Sequence, residues 1–139
     1  MELIEDEREP VNLLTTPLHL GLGSRARLVQ GFAWDPGVLE AYAAAVAADG
    51  AEGRMVMIFD GDGPGDHWER HPAGDEVVVC LSGRVKVVRD SEDTIDEVLL
   101  EPGEATVNPA GVWHAVDMDG QARILTITAG VGTEQRRRE

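Results

Sequence analysis

From Arg54 onward the sequence consists of short runs rich in Val, Ile and Thr, separated by Gly, Pro and Asp. In chain order the runs are MVMIF, EVVVCL, RVKVV, TIDEVLL, ATV, WHAV and ILTIT. Short strand-like runs divided by turn residues at this spacing are typical of antiparallel sandwiches and barrels. The sequence therefore predicts an all-β protein whose sheet closes around one core.

One segment before these runs has a different pattern. Asp35 is followed by Pro36, then by an alanine-rich stretch, and the stretch ends at Gly50. An Asp N-cap, a proline in the first turn and a glycine stop are the usual limits of a helix. We expect one N-terminal helix near residues 36–49, packed on the sheet through a narrow apolar stripe.

The length of 139 residues is that of a single domain. Acidic residues crowd the first ten positions, and the last positions include Arg136, Arg137 and Arg138. Such charged ends bury little apolar surface. We therefore divide the chain into an acidic arm at 1–10, a barrel domain at 11–132 and a charged tail at 133–139.

The formal net charge of −14 argues against nucleic acid and anionic lipid as partners, because both require clustered Lys and Arg. No apolar run approaches the roughly 18 residues of a membrane span, and the acidic start is unlike a signal peptide. The single cysteine, Cys80, lies in an apolar run and fits a reducing compartment. We expect a soluble, cytoplasmic protein without a membrane or nucleic-acid partner.

Histidines and carboxylates come together in the β-rich half of the chain. On an extended strand His67, Glu69 and His71 share one face, and Glu76 opens the next strand on an apolar face. His114 follows a turn further along. Two imidazoles and a carboxylate form the set used by non-haem iron, and also by Mn, Ni, Co or Zn. This constellation predicts a divalent metal site.

The spacing of these residues resembles the two motifs of the cupin superfamily, G-x5-H-x-H-x(3,4)-E-x6-G and G-x5-P-x-G-x2-H-x3-N. The first motif is represented by Gly63, Glu69, His71, Glu76 and Gly83. The second is represented by Gly103, Pro109, Gly111, His114 and Met118. The resemblance covers residues 63–118 and departs from the family at two places, where Glu69 replaces the first histidine and Met118 the final asparagine.

The resemblance implies an antiparallel jelly-roll β-barrel, frequently dimeric, with a metal inside. Carried over position by position, His71, Glu76 and His114 are metal ligands, and Glu69 is the fourth through a carboxylate oxygen. His67, two residues earlier on the same face, is an alternative ligand if the strand is bulged. Glu69 is preferred to His67 because it keeps the family's spacing.

Alternation along the strands predicts which side chains line the barrel. Trp68 and Trp113 each precede a proposed ligand, so they point away from the metal, towards a sheet packing or dimer contact. The side chains expected to form a small apolar pocket beside the metal are Val78, Cys80, Val107, Val116 and Met118.

Two functions fit this site. The first is an enzyme acting on a small organic molecule coordinated at the metal, by oxygenase (dioxygenase-like), isomerase or lyase chemistry, with Glu69 or Glu76 moving a proton. The second is a non-catalytic barrel that binds a small molecule or a structural metal. We expect a homodimer, because a dimer interface would bury the exposed strand edges and the outward-facing tryptophans.

Overall fold

The computed structural model describes residues 3–4 and 10–139 of the chain. In the described residues one α-helix and two short 3₁₀ helices accompany an extensive β-sheet. The helices are α1 (Pro36–Ala45) and the 3₁₀ segments Leu22–Ser24 and Ala47–Glu52. The strands are β1 (Leu3–Ile4), β2 (Leu18–Gly21), β3 (Arg25–Val29), β4 (Arg54–Pro64), β5 (His67–Arg70), β6 (Glu76–Asp90), β7 (Ile95–Leu100), β8 (Ala105–Asn108), β9 (Trp113–Thr128) and β10 (Glu134–Arg137).

The strands pair antiparallel and curl into a half-barrel, in agreement with the predicted all-β fold. The central path runs β1-β3-β2-β4-β9-β5-β10, and β6 adds pairings with β7, β8 and β9. Both β6 and β9 are long and bend in the middle, where the register shifts at Ser82. Gly83 sits at this bend with φ of +76°, and a side chain there would collide with Ala122. The bend lets one strand contribute to both walls of the half-barrel.

An apolar cluster fills the interior between these walls. The buried members are Val78, Cys80, Val85, Val87, Leu100, Ala122 and Ile124, with Phe59, Val98, Val116 and Met118 packed against them. Because inward positions recur at every second residue, the first and second halves of β6 both supply core residues. The polar end of the same interior face carries the histidines and Glu76 described below.

The predicted helix is present as α1, and the Asp35 carboxylate accepts hydrogen bonds from the amides of Gly37 and Val38 at 3.0 and 3.2 Å. It ends at Ala45, earlier than residue 49, and a 3₁₀ segment follows. Asp49 in that segment accepts a hydrogen bond from buried His19 (2.7 Å), whose other ring nitrogen lies 2.6 Å from the Tyr42 hydroxyl. These contacts tie the helical region to β2, and burial raises the pKa of Tyr42 to about 12.

The acidic residues of the predicted arm at 1–10 lie outside the described residues, while Leu3–Ile4 pair with β3. The segment 133–139, predicted as a charged tail, contains β10, which pairs antiparallel with β5 over Glu134–Arg137 and His67–Arg70. The charge of this segment led to the expectation that it is a solvent-exposed tail. Its backbone instead pairs with β5, a long-range contact that the sequence pattern does not show. No described helix has the length and apolar character to cross a membrane.

Candidate metal centre

Three strand ends bring the candidate ligands together. His71 follows the last residue of β5, Glu76 opens β6 after the turn Pro72–Asp75, and His114 is the second residue of β9. Glu69 on β5 pairs directly with His114 on β9, which places the end of β5 beside the start of β9. The tight turn between His71 and Glu76 then returns the chain to the same end of the half-barrel.

His71, Glu76 and His114 form a buried triad whose ligand atoms all lie within 4.8 Å of one another. One oxygen of Glu76 lies 3.0 Å from Nε2 of His71, and the other lies 3.0 Å from Nε2 of His114. The carboxylate is thus placed between the two imidazoles. This arrangement matches the His, Glu, His set predicted from the sequence.

Each histidine is oriented through its other ring nitrogen. Nδ1 of His71 lies 2.8 Å from the Thr133 hydroxyl, and Nδ1 of His114 lies 3.3 Å from the Val112 carbonyl oxygen. A carbonyl oxygen only accepts, so Nδ1 of His114 carries a proton and Nε2 is the nitrogen that faces the Glu76 carboxylate. Such outer partners are what fix the ring orientation and tautomer of metal-binding histidines.

Glu76 is held as an anion by two hydrogen bonds besides the imidazoles. The Asn108 side-chain amide donates to Oε1 at 3.2 Å, and the Thr128 hydroxyl donates to Oε2 at 2.8 Å. Burial alone would raise the pKa of Glu76, but His114 and His71 outweigh burial and hold it well below its usual range. The same contact with Glu76 raises the pKa of His114 against the effect of burial.

The donor set fits a divalent ion. Nε2 of His71 is buried and makes no hydrogen bond, although Glu76 is 3.0 Å away, so the approach lacks hydrogen-bond geometry. A buried imidazole nitrogen without a partner is costly unless another group satisfies it. Two imidazole nitrogens and a carboxylate oxygen converging in a buried site suit Fe, Mn, Co, Ni or Zn.

The two residues proposed as the fourth ligand differ in position. Oε1 of Glu69 lies 3.3 Å from Nε2 of His71, at the exposed side of the triad, and Oε2 accepts from the Gln135 amide at 3.2 Å. His67 is about half exposed, and its Nδ1 lies 2.6 Å from an Asp66 oxygen. Glu69 therefore borders the triad, whereas His67 faces a neighbouring carboxylate outside it.

The predicted pocket residues do not surround one pocket beside the triad. Val78, Cys80, Val116 and Met118 face the interior but pack against one another as the core. Val107 corrects the prediction: it is 49% exposed, because Asn108 is the β8 residue that points inward, opposite Glu76. One residue of register decides which face a strand position occupies.

Two open cavities lie away from the triad. One, of about 520 Å³, is lined by Asp60, Gly61, Asp62, Ser82, Gly83, Gln121, Ala122 and Arg123. The other, of about 510 Å³, is lined by Pro64, Arg84, Val85, Lys86, Leu99, Leu100, Glu101, Asp117, Met118 and Asp119. Neither cavity is lined by a triad residue. The open cavities and the metal-binding side chains therefore lie in different places. We base the assignment of the candidate site on the three converging side chains, because they offer specific metal-binding atoms.

Arg89 is a site residue that the sequence did not reveal. It lies opposite His114 in the β6–β9 register, and its Nε donates to the side-chain oxygen Oδ1 of Asn108 at 3.0 Å. Its terminal nitrogen also donates to the Val107 carbonyl oxygen at 2.9 Å. Arg89 thus joins β6 to β8, two hydrogen bonds from Glu76. Asn108, Thr128 and Thr133 were missed too; only the position of Asn108 beside Pro109 in the second motif gave a signal.

Trp68 and Trp113 stack against arginines. In order of contact, Arg138, Trp68, Arg136, Trp113 and Arg70 form an alternating ladder, with guanidinium-to-ring distances of 5.2, 5.8, 4.5 and 4.6 Å. These arginines also pair with carboxylates, Arg138 with Asp117, Arg136 with Asp90 and Arg70 with Glu134. The tryptophans predicted at a sheet packing or dimer contact thus anchor the C-terminal segment.

A family model described as the cupin domain matches residues 55–128, more than half of the chain. The chain therefore belongs to the cupin family, as its two motifs indicated. A comparison with curated proteins found no match.

Solved structures similar to part of this chain include a cupin-2 domain protein from Shewanella frigidimarina, 23% identical over 53% of this chain and 68% of that chain, with a TM-score of 0.47. Hydroxypropylphosphonic acid epoxidase from S. wedmorenis is 22% identical over 54% of this chain, with a TM-score of 0.47. HppE with iron(II) and substrate is 20% identical over 54% of this chain, with a TM-score of 0.48. The match spans 42% of each of the two latter chains.

Proposed function

We propose that this cupin binds one divalent metal ion through His71, Glu76 and His114 and acts on a small organic molecule at that ion, with Glu69 as the fourth ligand. The observation that carries the proposal is the convergence of the three ligand atoms within 4.8 Å, together with the unpartnered Nε2 of His71. Membership of the cupin family supports the same reading.

A bound divalent ion would supply Lewis-acid polarisation of a substrate oxygen, or a redox centre if it is iron. The chain's own residues would hold the ion and orient the substrate. Glu76 is unsuited to accepting a proton, because four polar groups surround it and its pKa is lowered. Glu69 is more exposed, and its Oε2 accepts from the Gln135 amide, so an oxygen of Glu69 that is not bound to the ion is the better candidate for moving a proton to or from substrate. Oxygenase, isomerase and lyase chemistry all fit an ion with such a carboxylate beside it.

A non-catalytic role is the second candidate, and one observation favours it. All three triad residues are buried, and neither of the two cavities described above reaches them. A structural metal would need no wider access. A cytoplasmic location and a homodimeric state remain predictions within either role.

Elemental analysis of the purified protein tests the metal centre. We expect stoichiometric divalent metal in the wild type, loss of the metal in His114→Ala, and wild-type content in His67→Ala, which removes a histidine outside the triad. Equal and negligible metal in all three proteins after loading would contradict the proposal.

Catalysis is tested separately on protein that retains metal. Oxygen consumption and product formation would be followed with the iron-loaded protein and a panel of enols, phenols and thiols. Turnover that disappears in His114→Ala supports the enzyme. Tightly bound metal with no turnover across the panel supports the non-catalytic role.

A further inference from the structure

The segment that precedes β10 delivers a hydroxyl group to the triad. We propose that Thr133 is a positioning residue whose hydroxyl accepts a hydrogen bond from Nδ1 of His71 when Nε2 binds the metal, and so holds the ring in its ligand orientation. This inference rests on the proposed function, since it assigns a partner to one of the proposed ligands.

The two histidines of the triad differ in how their tautomers are set. His114 faces a backbone carbonyl oxygen, which fixes a proton on its Nδ1. His71 faces a hydroxyl at 2.8 Å, which is able to donate or accept. Nε2 of His71 faces a Glu76 oxygen at 3.0 Å and a Glu69 oxygen at 3.3 Å, so it is the nitrogen placed to bind a metal. A metal bound at Nε2 leaves the proton of the neutral ring on Nδ1, where the Thr133 hydroxyl can accept a hydrogen bond from it.

Local backbone geometry brings Thr133 to His71. Gly132 has φ of +77°, a conformation that favours glycine, and a side chain there would lie 3.3 Å from Pro72 in the turn that follows His71. The Thr133 amide donates to the Gly130 carbonyl oxygen at 3.2 Å, closing a turn before β10. The next residues pair with β5, and Gln135 on the same segment contacts Glu69. The segment therefore supports two of the candidate ligands at once.

Nitrogen-15 NMR of the Zn²⁺-loaded protein tests the hydrogen bond at Nδ1 of His71. We expect the Nδ1 proton to exchange slowly with solvent in the wild type and in Thr133→Ser, and faster in Thr133→Val, whose side chain has no acceptor. Thr94→Val is the matched control, because Thr94 is exposed in the turn between β6 and β7. Fast exchange of this proton in the wild type overturns the proposal without needing any variant.

Metal affinity gives the second readout, measured by titration with Mn²⁺. Loss of an outer partner of a metal-binding histidine typically lowers affinity about 10- to 100-fold, and we expect a loss in this range for Thr133→Val. Thr133→Ser should restore affinity close to wild type, and Thr94→Val should not alter it. Wild-type affinity and an unchanged rate of Nδ1 proton exchange in Thr133→Val would overturn the role of Thr133. Absence of both Mn²⁺ and Zn²⁺ binding in the wild type would instead overturn the proposed function and, with it, the role of Thr133.

Discussion

At the scale of single residues, the candidate site depends on a chain of side-chain hydrogen bonds that runs from Arg89 through Asn108 to Glu76. Arg89 donates to Asn108, and Asn108 donates to Glu76. Because the side-chain oxygen Oδ1 of Asn108 accepts from the Arg89 guanidinium, the side-chain NH₂ group of Asn108 is the group that faces Glu76. The orientation of the Glu76 carboxylate thus depends on contacts two side chains away, which is common where a ligand must be held rigidly.

Replacing Arg89 tests this chain of contacts. In Arg89→Met the carbonyl oxygen of fully buried Asn108 loses its donor, and an unsatisfied buried acceptor costs about 1–3 kcal/mol. We expect the free energy of unfolding, measured with urea, to fall by about this amount. Arg84→Met is the control on the same strand, since Arg84 is 72% exposed and its nearest carboxylate is 3.8 Å away. Equal stability of the two variants would show that Arg89 does not support Asn108.

At the scale of elements, β10 is the strand whose attachment is least expected. It is short, its residues are exposed, and its backbone pairs only with β5 among the described strands. Stacking of Arg136 between Trp68 and Trp113 supplements those backbone hydrogen bonds. The ladder therefore links the stability of a terminal strand to two tryptophans that the motifs place beside the ligands.

We expect Arg136→Gln to loosen β10. The variant loses two guanidinium-to-ring contacts and the Asp90 ion pair, together worth about 1 kcal/mol at a partly exposed site. Hydrogen exchange of the β5 and β10 amides should accelerate, while exchange in β4 stays unchanged. Arg137→Gln, on the alternate face of β10, provides the control. The ladder would have no anchoring role if both variants exchanged alike.

At the scale of the whole molecule, the balance of charge sets a pH window for stability. Hydrogen bonds from His19, Arg123 and Arg138 lower the pKa values of Asp49, Asp60 and Asp117, respectively. A carboxyl whose pKa is lowered by folding stabilises the protein above its ordinary pKa of about 4 and loses that contribution as the pH falls. His114 behaves in the opposite sense, because its pKa is raised in the fold.

We therefore expect the metal-free protein to be most stable between about pH 4.5 and 6.5, since the contribution of His114 is complete below its ordinary pKa and is lost as the pH rises through the raised value. Bound metal should move the optimum to higher pH, because ligand imidazoles must be neutral. Urea unfolding across the pH range, with chelator and with Mn²⁺, measures both curves. An optimum at the same pH in both series would contradict a metal site that includes His114.

Much of this protein follows from the order of residues along the chain. Short β-rich runs and turn residues predicted the all-β fold, Asp35 and Pro36 predicted the start of α1, and the two motifs predicted the cupin family and the convergence of His71, Glu76 and His114. These features are local or repeat at fixed spacing, because strand alternation and turn geometry act over a few residues. The local sequence pattern is therefore enough to predict these features.

Other features were decided only by the tertiary structure. Thr133 reaches His71 across 62 positions and Thr128 reaches Glu76 across 52, so no local pattern links them. Val107 faces outward and Asn108 inward because the β6–β8 register, a contact between distant segments, fixes the face. The arginine-rich end becomes a strand because two tryptophans and β5 lie where it can pack. The sequence by itself determined the fold and the three residues of the candidate triad; long-range packing decided which side chains orient that triad and hold the last strand in place.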